Sequence, residues 1–171
     1  MTRYASLVAF IATIPAANWL IGNVGTLCIP NGPCLVPVAP GLMAPSGVLL
    51  IGLALVLRDA VHEQLGARWA MGAIIVGAAL SALIAPPSLV VASAAAFLLS
   101  EAADMAVYSP LRKRHLIAAV FASGAVGAIV DSAVFLWLAF GSLDYLEGQV
   151  VGKIWMTVLA AAWLKWRADD R

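Results

Sequence analysis

Charge is what this sequence has least of. Ten Lys and Arg with nine Asp and Glu make up only 11% of 171 residues, and mean hydropathy is +0.98. Soluble domains carry about 25% charged residues, so a soluble fold would lack the polar surface to cover itself. A net charge of +1 argues against nucleic acid as a partner. Catalytic signatures are missing too. His62-Glu63 is not followed by a His four residues after the first, and Gly-x-Ser-x-Gly, a phosphate loop and Cys-x-x-Cys do not occur. No metal, no cofactor and no enzymatic activity are therefore expected. The first apolar stretch lacks a small-residue cleavage pattern, so it reads as a span and not a leader.

What is there is hydrocarbon, at 63% of residues. Six runs approach the 20 or so apolar residues that a spanning helix needs. They fall at 7–24, 47–65, 69–85, 88–108, 116–140 and 146–166. The expectation is an all-α, polytopic membrane protein, one domain over 1–171 built as a bundle of six transmembrane helices. The first run is the least regular, because Pro15 and Asn18 interrupt it. Gly66, Pro86-Pro87 and Pro110 mark the breaks between runs two to five.

Basic residues orient the bundle. Arg3, Arg68, Arg112-Lys113-Arg114, Lys165, Arg167 and Arg171 lie at the ends and the even-numbered turns. The opposite turns hold no Lys or Arg, and 25–46 has no charge at all. Both termini are thus predicted to be cytoplasmic, in a multi-pass protein of the inner (plasma) membrane. The 25–46 connection carries five prolines, with Cys28 and Cys34. An outer location permits a disulfide, and two free thiols in a compact loop fit equally well. A loop of this length is expected to fold back over the outer mouth.

Ionisable groups inside spans are costly and mark interiors or cavities. Arg58, Asp59, His62 and Glu63 fall within six residues of the second run. Glu101 and Asp104 sit one turn apart in the fourth, with Tyr108 a further turn along. At 1.5 Å per residue, Asp59 and Glu101 share a depth of roughly 18–20 Å below the outer face. Asp131 in the fifth run and Lys153 in the sixth share a shallower level and make an ion-pair candidate, either structural or ligand-binding. Asn18, Asn23 and Gln149 add neutral polar groups. Arg58, His62 and Glu63 form a gating or proton-coupling candidate, against which stands a plain salt-bridge network, or snorkelling to the headgroups for Arg58.

With these residues in hand the chain resembles the queuosine precursor transporter family, also called the vitamin uptake transporter (VUT) family. The matching pieces are Ala17-Asn18-Trp19-Leu20, the stretch from Asp59 to Gly66, and Ser100-Glu101-Ala102-Ala103-Asp104 through Val107-Tyr108 and Arg112. Val130-Asp131 with Phe135, and Lys153, complete the set. An abbreviated third-to-fourth turn and the two-cysteine loop depart from the pattern. The resemblance implies import of a 7-deazaguanine, such as 7-cyano- or 7-aminomethyl-7-deazaguanine, or queuine. The expected substrate-binding residues are Asn18, Trp19, Asp59, Glu101, Asp104, Tyr108, Asp131 and Lys153. Glu101 and Asp104 would accept the adjacent N–H donors of a guanine-like edge, and Trp19 and Trp155 are the candidates to stack on the ring. Partners are then a purine-like small molecule and the lipid bilayer, with the protein acting alone or as a homodimer. The alternative is a membrane subunit that binds substrate for a vitamin importer energised by a separate ATPase module.

Overall fold

The computed structural model describes residues 3–111 and 114–169. Arg112, Lys113 and Arg171 lie outside the described residues, and the side chains of Arg3, Trp163, Lys165, Trp166 and Arg167 lie outside the described side chains. Six helices follow the six apolar runs: α1 Arg3–Asn23, α2 Val48–Leu65, α3 Ala67–Ser81, α4 Pro87–Leu111, α5 Leu116–Phe140 and α6 Leu146–Asp169. Their ends have local causes. Gly66 stands between α2 and α3 at φ +94°, a conformation an L side chain resists, and its N–H closes on the His62 carbonyl. Pro87 opens α4 where its missing N–H costs nothing. Gly141 ends α5 in the left-handed region with its N–H on the Trp137 carbonyl.

Two expectations need correction. The chain is not all-α. The connection between α1 and α2 forms an antiparallel three-stranded sheet, β1 Leu27–Cys28, β2 Cys34–Ala39 and β3 Leu42–Pro45, in the order β1-β2-β3. Its prolines read as loop markers, yet two of them stand in strands. Pro37 lies beside the irregularity between Pro37 and Ala39, and Pro45 is the last residue of β3. Cys28 and Cys34 face each other across β1 and β2 and are joined by a disulfide. Second, α3 stops at Ser81 instead of running on to 85, which leaves it 15 residues, about 22 Å of helix. By contrast α1 passes through Pro15 unbroken.

Three helical stretches are long and apolar enough to cross a membrane: Tyr4–Asn23, Pro87–Leu111 and Ala122–Phe140. The outside of the bundle is apolar as well, with Val8, Ile75, Val91, Met105 and Trp137 all more than half exposed. Water would be a poor solvent for such a face, and lipid is a good one. Inside, Phe10 of α1 packs with Ala54 and Val61 of α2 and Ala70 and Ala73 of α3. Ile21 of α1 packs with Leu89, Ala92 and Ala96 of α4 and Phe135 and Leu136 of α5.

The sheet is seated on one end of this bundle, against the start of α6 and the end of α1. Ser46 Oγ donates to the Leu20 carbonyl at 2.8 Å, and Trp155 Nε1 donates to the Val38 carbonyl at 3.1 Å. Close approach is made by glycine. A Cβ on Gly148 would overlap the Met43 carbonyl, and one on Gly152 would lie 2.9 Å from both Val48 methyls. Gly148 and Gly152 are a Gly-xxx-Gly pair on one face of α6. Since α1 ends and α6 begins at the sheet, the start of α1 and the end of α6 lie at the far end of the bundle.

Gly148→Val is expected to lift β3 from α6 and destabilise the protein by about 1–3 kcal/mol, the usual cost of overpacking. A thermal unfolding series in detergent checks it. Gly124→Val, where nothing lies within 4 Å of the added Cβ, should leave the midpoint within about 1 °C of wild type.

Candidate functional site

All six helices contribute to one cavity of about 820 Å³, a volume that includes its mouth open to solvent. Its walls are Phe10, Ile14 and Ile21 of α1, Val48, Ile51, Ala54 and Leu55 of α2, Ile74 and Ala78 of α3, Val90, Ala94, Ala96 and Phe97 of α4, and Phe135 of α5. Five polar side chains interrupt this lining: Asn18, Arg58, Ser93, Asp131 and Gln149. Apolar walls with a few placed polar groups are the usual make-up of a small-molecule site.

The polar groups fall into three sets. Near the sheet, Asn18 is buried and bridges three helices: its Nδ2 donates to Ser81 Oγ at 3.1 Å, and its Oδ1 accepts from Ser93 Oγ at 3.0 Å. Across the cavity, Lys153 reaches from α6 to α5. Its ammonium donates to Asp131 Oδ2 at 2.5 Å and to Ser132 Oγ at 2.7 Å, and the residue is only 2% exposed. Gln149 lies one turn before Lys153 on the same face of α6 and is 4% exposed.

The third set lies at the end away from the sheet. Arg58 forms an ion pair with Glu101 of α4, and another with its neighbour Asp59 at 2.7 Å. Its guanidinium also sits 5.9 Å from the centroid of the Phe97 ring, within cation–π range. Arg58 thus spans α2 and α4 at the cavity wall. It is the cross-helix partner that Glu101 lacks within its own helix.

The structure distributes the expected site residues unevenly. Asn18 and Asp131 line the cavity, Lys153 holds Asp131, and Glu101 reaches the cavity only through Arg58. Asp59 is exposed and turned to Arg58. Asp104 and Tyr108 are half-buried but outside the cavity lining, and Asp104 instead packs near Gly127 of α5. Trp19 is 45% exposed on the outer surface, so it does not stack on anything in the cavity. Its neighbour in sequence, Asn18, takes the inward face. Trp155 is committed to the sheet. Of the gating candidates, Arg58 lines the cavity, while His62 and Glu63 are exposed and outside its lining. Sequence reasoning missed Ser93, the rings of Phe10, Phe97 and Phe135, and Gln149 as a site residue. For Gln149 a signal existed, its i, i+4 spacing from Lys153; for Ser93, among small residues, none did. Among the described residues no group of three His, Cys, Asp or Glu could hold a metal ion.

Residues 83–167 match the model of the family described as "Putative vitamin uptake transporter". The chain belongs to this family. It is the family of queuosine precursor transporters, so the cavity belongs to a membrane transporter. The match spans α4, α5 and most of α6, and so covers Ser93, Phe97, Glu101, Asp131, Gln149 and Lys153. Asn18 and Arg58 lie before it. Among curated proteins and among solved structures nothing matches the chain.

The buried pair makes a sharp test. Asp131→Asn strands the Lys153 ammonium, at an expected cost of about 3–5 kcal/mol. Asp131→Asn combined with Lys153→Met should recover most of that loss, because no charge is left behind. Chemical denaturation of the three variants in mixed micelles measures the coupling, and strict additivity would show that the contact carries none.

Proposed function

We propose that this transporter carries a queuosine precursor, a 7-deazaguanine such as 7-cyano- or 7-aminomethyl-7-deazaguanine, through the central cavity. The observation that carries the reading is the cavity itself, walled by every helix of the bundle and interrupted by only five polar side chains. Phe10, Phe97 and Phe135 offer faces and edges to a flat ring. Asn18, Asp131 and Gln149 offer acceptors and donors for its heteroatoms. Family membership supports the same substrate class.

In this reading all six helices cross the membrane. α2 carries its charge as the Arg58 pairs and α6 carries Lys153 on Asp131. The uncharged sheet faces outward and both termini face the cytoplasm of a cell bounded by this inner membrane, as the placement of Arg and Lys favours. Arg58 with Glu101 then stands on the cytoplasmic side of the bound substrate, where it acts as the inner gate. Parting this ion pair joins the cavity to the cytoplasm, and re-forming it closes the way back. His62 and Glu63 lie one turn further in, in the path of the released substrate.

Purified chain alone in proteoliposomes is expected to take up 7-cyano-7-deazaguanine, and uptake that requires an added ATPase module would instead make it a binding subunit. A half-exposed ion pair contributes about 1 kcal/mol. Glu101→Gln should therefore shift the open-to-closed ratio of the gate roughly fivefold and change the uptake rate to match, with the thermal midpoint nearly unchanged. Wild-type kinetics in Glu101→Gln would remove the pair from the gate.

A further inference from the structure

Among the described residues, Gln149 is the one cavity-lining polar side chain whose hydrogen-bonding groups have no partner in the protein. Asn18 and Ser93 satisfy each other, Arg58 is paired twice, and Asp131 holds Lys153. Among the described residues no group hydrogen-bonds to the Gln149 side chain, although the residue is 4% exposed. Yet no buried side-chain nitrogen or oxygen among the described residues is sealed off without a partner. The amide must therefore open on the cavity it lines. An unpaired amide in an apolar wall is unfavourable, and a ligand bound there would remove that cost.

The backbone aims this side chain. Gly148 and Gly152 let α6 close on β3 and on Val48, and Lys153, one turn on, is held to α5 by Asp131 and Ser132. Gln149 lies between these two restraints, so α6 has little freedom to turn it away. Asp131, which also lines the cavity, accepts from Lys153 through Oδ2 alone. Its other oxygen is available as an acceptor in the same cavity that Gln149 lines.

We infer that Gln149 is a specificity-determining residue that takes a lactam edge, an N–H beside a C=O on a planar ring, with its Oε1 accepting the N–H and its Nε2 donating to the carbonyl. The free oxygen of Asp131 accepts a further N–H or amino group on the same ring. The inference rests on the reading of this cavity as the transport site. It goes further in naming the edge of the substrate and the side chain that reads it. A ring of the same shape with no donor beside an acceptor on that edge leaves part of the amide unpaired and is rejected for that reason.

The test uses full-length protein in nanodiscs and three probes: 7-cyano-7-deazaguanine, 7-deazahypoxanthine, which keeps the lactam and lacks the amino group, and unsubstituted 7-deazapurine, which has a C–H in place of the carbonyl and no N–H beside it. Wild type should bind the two lactam probes about tenfold or more tighter than 7-deazapurine. Gln149→Met, which keeps length and volume, should erase that preference while its thermal midpoint without ligand stays at or above wild type. Gln149→Glu, an acceptor without the donor when ionised, should lose affinity for 7-deazahypoxanthine more than for 7-cyano-7-deazaguanine, which can turn its two adjacent N–H groups to a carboxylate. A purely structural Gln149 would lower all three affinities together, and that result overturns the inference. So does an unchanged preference in both variants, or equal wild-type affinity for all three probes. If 7-cyano-7-deazaguanine fails to bind while 7-deazahypoxanthine binds in a Gln149-dependent way, the edge assignment holds and the queuosine precursor reading falls.

Discussion

Lys153 joins α6 to α5 through Asp131 and Ser132, and much of the bundle's geometry follows from that contact. An ammonium in an apolar interior has to be paired, because the desolvation cost of leaving it alone is several kcal/mol. The pair therefore sets the rotation of α6 about its own axis. Once Lys153 points at Asp131, Gln149 faces the cavity, and Gly148 and Gly152 face the sheet and α2. Gly52 completes the arrangement from the other side, where an added Cβ would lie 2.7 Å from Met156 Cβ and 3.1 Å from Lys153 Cα.

The second long-range pairing, Arg58 with Glu101, differs in kind. Lys153 is buried with its partner, whereas the Glu101 side chain is 38% exposed. Solvent competes for the more open pair, so it can break and re-form at a cost that thermal motion supplies. One ion pair holds the scaffold and the other is the one proposed to move, and depth from solvent separates the two.

Much of this was legible in the sequence, for physical reasons. Hydrocarbon demands long apolar runs, so the six helices could be placed, and α5 begins and ends where expected. Pro15 was a poor guide because a helix packed among neighbours keeps its course through proline. The sheet was hidden: five prolines in 25–46 look like an irregular loop until pairing partners are known, and pairing is non-local. In the site, rare charges stood out, so Asp131, Lys153, Arg58 and Glu101 were found. Their roles were less legible than their presence, since Glu101 proved to have Arg58 for a partner. Neutral groups such as Ser93 and Gln149 carry no such contrast, and only the shape of the cavity singles them out. Trp19 shows the opposite error. A tryptophan beside a buried asparagine points outward because successive helical residues face about 100° apart.

The sheet and its seat are far apart along the chain. Trp155 and Val38, joined by a hydrogen bond, are separated by 117 residues, and the glycines that receive β3 also belong to α6. During synthesis the hairpins exist long before the surface that holds them does. The first connection of the protein must wait, beside an unfinished bundle, for the last helix to arrive. Loss of α6 would therefore unseat a segment near the other end of the sequence. A chain truncated after α5 keeps every residue of its cap and only the α1 part of its seat.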